Sequence, residues 1–191
     1  GRMPVSLVTH RTNLGLGEAT RTGLMSALES ADSRDIIVTM DADNTHSPAL
    51  IARMVRGIRE GNDVVIASRF RPAARIKGVP LYRRFLSRGG SWMLRTIFPT
   101  HNVRDFTSGY RAYRAAILEQ AFATYGRPFV AESGFACMLD ILLKLRRLDA
   151  IMCEVPLILR YDFKYGLSKM MVLRTLSQTL RLIAVRRLGL R

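Results

Sequence analysis

The chain has 191 residues, 48% of them apolar, which suits one domain with a sizeable core and argues against a disordered or fibrous protein. Its net charge is +15, and 26 of its 30 basic residues are Arg. Such a surface favours anionic partners: sugar nucleotides, phospholipid head groups or nucleic acid. An Arg-rich, Lys-poor composition is equally what a GC-rich genome produces. Aromatic content of 8% argues against a base-stacking nucleic-acid surface.

In chain order, Pro4–Val8 reads as a short strand. The turn Asn13-Leu14-Gly15-Leu16-Gly17 leads into a helix over Glu18–Leu28. Asp35–Met40 is a continuous apolar run, the pattern of a strand buried on both faces. Ser47-Pro48 reads as the N-cap and first position of a helix running to about Arg59. Asp63–Ser68 reads as the next buried strand. Alternating strands and helices predict an α/β layered sheet with right-handed crossovers. Residues 71–80 read as a loop, and 81–98 as a cationic amphipathic helix whose alternative is an ordinary surface helix. Further on, Phe106–Tyr113 is a candidate strand, Ala115–Ala123 and Ser133–Leu145 are helices, and Ala150–Leu159 is a strand. The expected division is 1–167 as the layered domain and 168–191 as a basic amphipathic C-terminal helix, either a membrane-surface anchor or a core helix.

Cys137 and Cys153 lack metal-type pair spacing and are expected to be free thiols. His10, His46 and His101 show no zinc-type spacing, so structural or solvated roles are expected. No apolar run approaches the roughly 20 residues that span a bilayer.

The sharpest chemical feature is Asp41-Ala42-Asp43, directly after an apolar strand. Ligands of open α/β sheets bind outside the carboxyl ends of the strands. Two carboxylates there suit a hard divalent cation that also bridges to phosphates. The alternative is a loop Asp capping the next helix.

Around this feature the chain resembles the family 2 glycosyltransferases, dolichol- and polyprenol-phosphate mannosyltransferases in particular. Ile37–Pro48 looks like their D-A-D-x-x-H-x-P segment, and Asn13–Ala19 is similar to their N-x-G-x-G-x-A turn. Val65–Arg69 resembles their G-S-R strand end, with Ala67 replacing the usual Gly. Leu86–Gly89, Asp105–Arg111, Glu154-Val155-Pro156 and Gly166–Lys169 resemble the S-R-G, D-x-T-S-G-F-R, E-V-P and G-x-S-K segments, in the same order.

The resemblance implies a GT-A (Rossmann-like) fold, with a mostly parallel sheet flanked by helices. It implies that Asp41 and Asp43 hold Mg²⁺ or Mn²⁺ and the diphosphate of a sugar nucleotide. Arg69 and Arg88 would lie near phosphates; Asp105, Ser108, Gly109 and Arg111 would line the sugar and acceptor side. Glu132 would bind the transferred sugar, or cap a helix. Ser168 and Lys169 would contact phosphate. Arg160 and Lys164 compete for a further phosphate contact, with Lys164 preferred because this segment is one residue longer than the common pattern. Thr45 stands where relatives often carry a Gln beside the metal.

The implied reaction is inverting transfer of a hexose to a polyprenyl phosphate, with mannose from GDP-mannose the first expectation and glucose from UDP-glucose the second. A hydroxyl acceptor, as in cell-wall or glycan synthesis, would need a base, for which Asp105 is the candidate. The setting would be the cytoplasmic face of a membrane, with no nucleic-acid partner. Compared with the family pattern, the chain begins at the third strand, so about 60–70 residues are expected to be missing, at roughly 30 per βα unit. Rival readings are a nucleic-acid-binding protein, a nucleotidyltransferase and an inactive membrane-associated remnant.

Overall fold

The computed structural model describes residues 4–79, 81–134, 136–163, 181, 183 and 184. A four-stranded sheet forms its centre. The strands are β1 (Ile36–Thr39), β2 (Val64–Ser68), β4 (Arg111–Arg114) and β5 (Met152–Pro156), in the order β1-β4-β2-β5. β2 and β5 are parallel, whereas β4 runs antiparallel between β1 and β2. The expected sheet is therefore present with one reversed strand inserted at its middle. That reversal carries the loop preceding β4 to the end of the sheet where β1 and β2 finish.

The sheet separates two apolar clusters, and alternation along each strand decides which residue joins which. Ile37, Val64, Ile66 and Tyr113 face α1 (Gly15–Leu28), α4 (Ala115–Tyr125) and α5 (Ala136–Arg146), together with Leu94 of α3 (Leu81–Ile97). Val65, Ala67, Ala112 and Val155 face α2 (Ile51–Arg59). Met54 and Ile58 of α2 are one turn apart and buried, while Arg53, Arg56 and Arg59 face water. Truncating Met54 to Ala would cost about 2–5 kcal/mol as lost burial plus a cavity. Ile183 is buried in the larger cluster; the rest of the expected C-terminal helix lies outside the described residues, apart from Arg181 and Ala184.

Six expectations change. β1, at the edge of the sheet, is only partly buried where the apolar run predicts burial on both faces, and the candidate strand Phe106–Tyr113 is replaced by β4, which starts only at Arg111. Pro4–Val8 forms no strand: Val5 and Leu7 are each 86% exposed. A strand needs a hydrogen-bonding neighbour, and among the described residues none runs beside this segment. Ser47 makes no side-chain cap; a short 3-10 turn, Pro48–Leu50, precedes α2. Residues 71–80 contain a strand, β3 (Arg75–Lys77). It pairs in parallel with β6 (Ile158–Arg160), the far end of what reads in sequence as the single strand Ala150–Leu159. The break falls at Leu157, whose N–H donates to Ser68 O in the main sheet while its carbonyl accepts from Arg75 N–H. One residue thus joins both sheets. Pro156 before it has no N–H to extend the ladder.

Candidate active site

The C-terminal ends of β1, β2 and β5 and the segment leading into β4 meet at one end of the sheet. The expected position of the Asp41-Ala42-Asp43 loop beyond β1 is therefore the observed one. Asp41 is exposed and Asp43 half-buried. Asn44 takes a left-handed φ of 63°, which Asn tolerates and which turns the chain back sharply. Buried Thr45 then donates both its N–H (3.2 Å) and its hydroxyl (2.6 Å) to Asp43 Oδ1. Thr45 thus orients Asp43, and its hydroxyl proton is committed to that task.

The loop is tied down from behind. Thr45 O accepts from Arg160 N–H at 2.9 Å, and His46 bridges to Leu159 in β6. The His46 ring stacks on Tyr110 at 4.9 Å, and the Tyr110 hydroxyl donates to Ser47 O at 2.9 Å. Burial of the Tyr110 phenol pushes its pKa up, which keeps that donor protonated. From the front, the Thr39 hydroxyl donates to Gly109 O at 2.7 Å. A Cβ at Gly109 would lie 3.8 Å from Asp41 Oδ1, so the Gly109 backbone and the Asp41 carboxylate share one wall.

A second acidic group, Asp105, lies on the same rim and is wholly buried. Arg69, the first residue beyond β2, meets it with a two-pronged ion pair: Nε to Oδ2 at 2.8 Å and Nη2 to Oδ1 at 2.6 Å. The N–H groups of Arg69 (3.0 Å), Ser108 (3.1 Å) and Thr107 (3.3 Å) also donate to the carboxylate. Burial alone would raise the pKa of Asp105. The Arg69 guanidinium and the hydrogen bonds outweigh burial and hold it below the usual carboxylate range. Arg69 Nη2 also reaches Thr107 Oγ1 at 2.6 Å. Such a carboxylate is ionised but has its lone pairs engaged, which is the wrong arrangement for taking up a proton. The expectation that Asp105 acts as base finds no geometric support, and Arg69 is occupied chiefly with Asp105.

The other expected site residues divide. Ser108 is buried beneath this pair and Gly109 is half-buried beside Asp41. Arg111 is not on the surface of the cleft: its side chain is fully buried and donates from Nη2 to Phe106 O at 2.9 Å, supporting the Asp105–Ser108 loop from below. Arg88 is exposed on α3, one turn before Ser91, whose hydroxyl donates to Arg104 O at 2.5 Å. Glu132 is half-buried and its backbone abuts α1, where a Cβ on Gly17 would fall 2.2 Å from Glu132 O. That contact explains the second glycine of the Asn13–Gly17 turn. The first, Gly15, has φ +85° and its N–H bonds Asn13 Oδ1 at 2.9 Å. Lys164, Ser168 and Lys169 lie outside the described residues. Arg160, the competitor of Lys164, pairs with Asp162 at 2.9 Å.

Sequence reasoning passed over Thr107, Arg104 and Glu154. Thr107 and Glu154 sit inside segments that were singled out, but nothing in spacing distinguishes a residue that holds a loop from one that binds a ligand. Arg104 carries no signal in a chain so rich in Arg. The two cysteines are free thiols as expected, Cys137 buried and Cys153 half-buried; burial pushes the Cys137 thiol up to about 11.

The fold is that of the GT-A glycosyltransferases. The crystal structure of glucosyl-3-phosphoglycerate synthase from Mycobacterium tuberculosis, in complex with Mn²⁺ and uridine-diphosphate-glucose, superposes with a TM-score of 0.58 at 19% identity, over 95% of this chain and 57% of that one. The model of glycosyl transferase family 2 matches residues 2–122, and the chain belongs to that family. Among curated proteins it is 34% identical over 164 residues to an undecaprenyl-phosphate mannosyltransferase of Micrococcus luteus, covering 85% of this chain and 64% of that protein. It is 28% identical over 144 residues to a dolichol-phosphate mannosyltransferase of Pyrococcus furiosus, covering 75% and 38%. The chain thus spans less than two thirds of either relative's length.

Proposed function

We propose that this protein transfers a hexose from a nucleotide sugar to a polyprenyl phosphate, with inversion, at a membrane surface. The observation that carries this reading is the placement of Asp41 and Asp43 at the strand ends, on one rim with the Arg69–Asp105 pair and the Ser108-Gly109 wall. Relatives named for mannosyl transfer to lipid phosphates support mannose as the sugar, and a structural neighbour holds uridine-diphosphate-glucose; GDP-mannose is the first donor to test and UDP-glucose the second.

Two carboxylates one residue apart at the strand end, Asp41 exposed and Asp43 half-buried, fit a divalent cation that draws its other ligands from phosphate and water. Asp41 and Asp43 would hold Mg²⁺ or Mn²⁺, which would supply charge neutralisation for the departing diphosphate. Thr45 fixes the rotamer of Asp43, and the Gly109 backbone leaves Asp41 room. The Arg69–Asp105 pair keeps the Thr107–Gly109 backbone in place on the acceptor side. A phosphate acceptor is already anionic and needs no base, which agrees with the engaged state of Asp105. A hydroxyl acceptor would require a proton acceptor that Asp105, held as it is, does not provide.

A membrane-surface setting is supported by α3. Phe85 and Trp92 are seven residues apart on one face, 69% and 67% exposed, with Leu86 and Arg88 beside them. Amphipathic aromatic and cationic side chains on one helix suit an anionic lipid interface.

The test is transfer of radiolabel from GDP-mannose and from UDP-glucose to polyprenyl phosphate, with and without Mg²⁺ or Mn²⁺. Label in the lipid fraction that requires the cation and is lost in Asp43→Ala is the expected result. Full, metal-dependent activity in that variant would overturn the site.

A further inference from the structure

We infer that Glu154 is the positioning residue of the acceptor side: from β5 it fixes the backbone of Arg104 and Asp105, and through them the Arg69–Asp105 pair and the exposed Arg104 side chain. This rests on the proposed function for its meaning, but its structural content is independent of it.

Glu154 is 7% exposed, and its neighbour across the sheet is Ile66 in β2. A glutamate buried on the edge strand β5 is costly and needs compensation. The compensation is specific. Oε1 accepts from the N–H groups of both Arg104 and Asp105, each at 2.6 Å, across about fifty residues of sequence. The two donors are consecutive, so a single oxygen pins one peptide unit and its neighbour. Oε2 is buried without a hydrogen-bond partner among the described residues, and the nearby Ser68 hydroxyl favours the charged form.

What the pinned turn presents is the acceptor side of the site. Asp105 follows directly with its engaged carboxylate, and Ser108 N–H closes onto Oδ1 at 3.1 Å. The Arg104 carbonyl is held from the opposite direction by Ser91 of α3, at 2.5 Å. Arg104 is thus clamped at both backbone polar groups while its side chain reaches solvent. Neither Ser91 nor Glu154 need touch a substrate to matter. Glu154 acts through Arg104 and Asp105, linking the end of β5 to a loop that β2 alone would leave held from one side.

The geometry separates reach from charge. Gln in place of Glu154 keeps a carbonyl oxygen at the same distance. Asp keeps the charge but is one methylene shorter, too short for bonds of this length. Amide hydrogen exchange by mass spectrometry on the full chain, reading the peptide across residues 103–109 against one from β2, tests the assignment without any substrate. Glu154→Gln is expected to retain protection near the wild-type level. Glu154→Asp is expected to exchange about 10- to 30-fold faster in that peptide, as two hydrogen bonds are lost, with β2 unchanged. Equal protection in wild type and Glu154→Asp would overturn the assignment, as would loss in Glu154→Gln or a uniform rise over both peptides. Should Glu154→Asp fail to fold, Glu154→Ala, which removes the acceptor of both bonds, takes its place, with faster exchange at 103–109 and unchanged β2 expected and equal protection overturning the assignment. In the transfer assay the same pair separates a KM effect for lipid phosphate from a kcat effect: the Asp variant raises KM and Gln restores it. If the wild type transfers no sugar, the proposed function fails while the exchange data still judge Glu154.

Discussion

Two acidic clusters stand at the same end of one sheet with opposite surroundings. Asp105 is fully buried, bonded by Arg69 and by three backbone N–H groups, and held ionised. Asp41, just beyond β1 and close to Gly109 in space, is exposed, and Asp43 accepts from the hydroxyl and amide of Thr45. In sequence both read as acidic residues beside candidate strands, inside segments that resemble family motifs. Burial and saturation make the first a fastening and leave the second able to meet a ligand. A carboxylate can be spent on structure or offered to chemistry, and its hydrogen-bond partners decide which.

The contrast can be broken by mutation, and the largest effect should fall on the fastening. Asp105→Asn keeps the shape but removes the charge opposite Arg69, and should cost about 3 kcal/mol or more of stability in urea denaturation. Asp43→Asn should do the reverse. Its stability should stay within about 0.5 kcal/mol of wild type. Its transfer rate should fall about 100-fold or more, roughly 3 kcal/mol of transition-state stabilisation. If both variants lose stability alike, the distinction drawn between them is wrong.

A smaller effect should come from Gly17→Ala. Helix propensity favours Ala by about 1 kcal/mol. The added Cβ, however, would sit 2.2 Å from Glu132 O, a backbone atom that cannot swing aside. Net destabilisation of about 1–3 kcal/mol is expected in thermal melts, from overpacking. A neutral or stabilising result would show that Glu132 is not held by α1.

The smallest effect should be a difference in pH slope. Burial raises the pKa of Glu154 and its two backbone hydrogen bonds only partly offset that. Its contribution to stability is therefore complete below the ordinary Glu value and declines as pH rises through the raised one. Glu154→Gln should remove that decline. Asp105 has the opposite sign: its lowered pKa means stability present at neutral pH and lost as pH falls through the lowered value. Stability curves of wild type and Glu154→Gln that run parallel between mildly acid and neutral pH would refute the raised value.

The sequence by itself determined the layered α/β class, the strands at 36–39 and 64–68, of which only the second is buried throughout, and the position of the paired aspartates beyond the first of them. Those features are written in local apolar runs and in motif order, so neighbouring residues suffice to read them. The tertiary structure alone decided which carboxylate is engaged, since Asp105 meets Arg69 across 36 residues and Glu154 meets Arg104 across 50. It also decided that Pro4–Val8 forms no strand, that Leu157 divides one apolar run between two sheets, and that Arg111 lies inside rather than in the cleft. The physical reason is common to all of these: pairing, burial and hydrogen-bond satisfaction depend on what the rest of the chain brings alongside, and residue type or spacing carries no record of that.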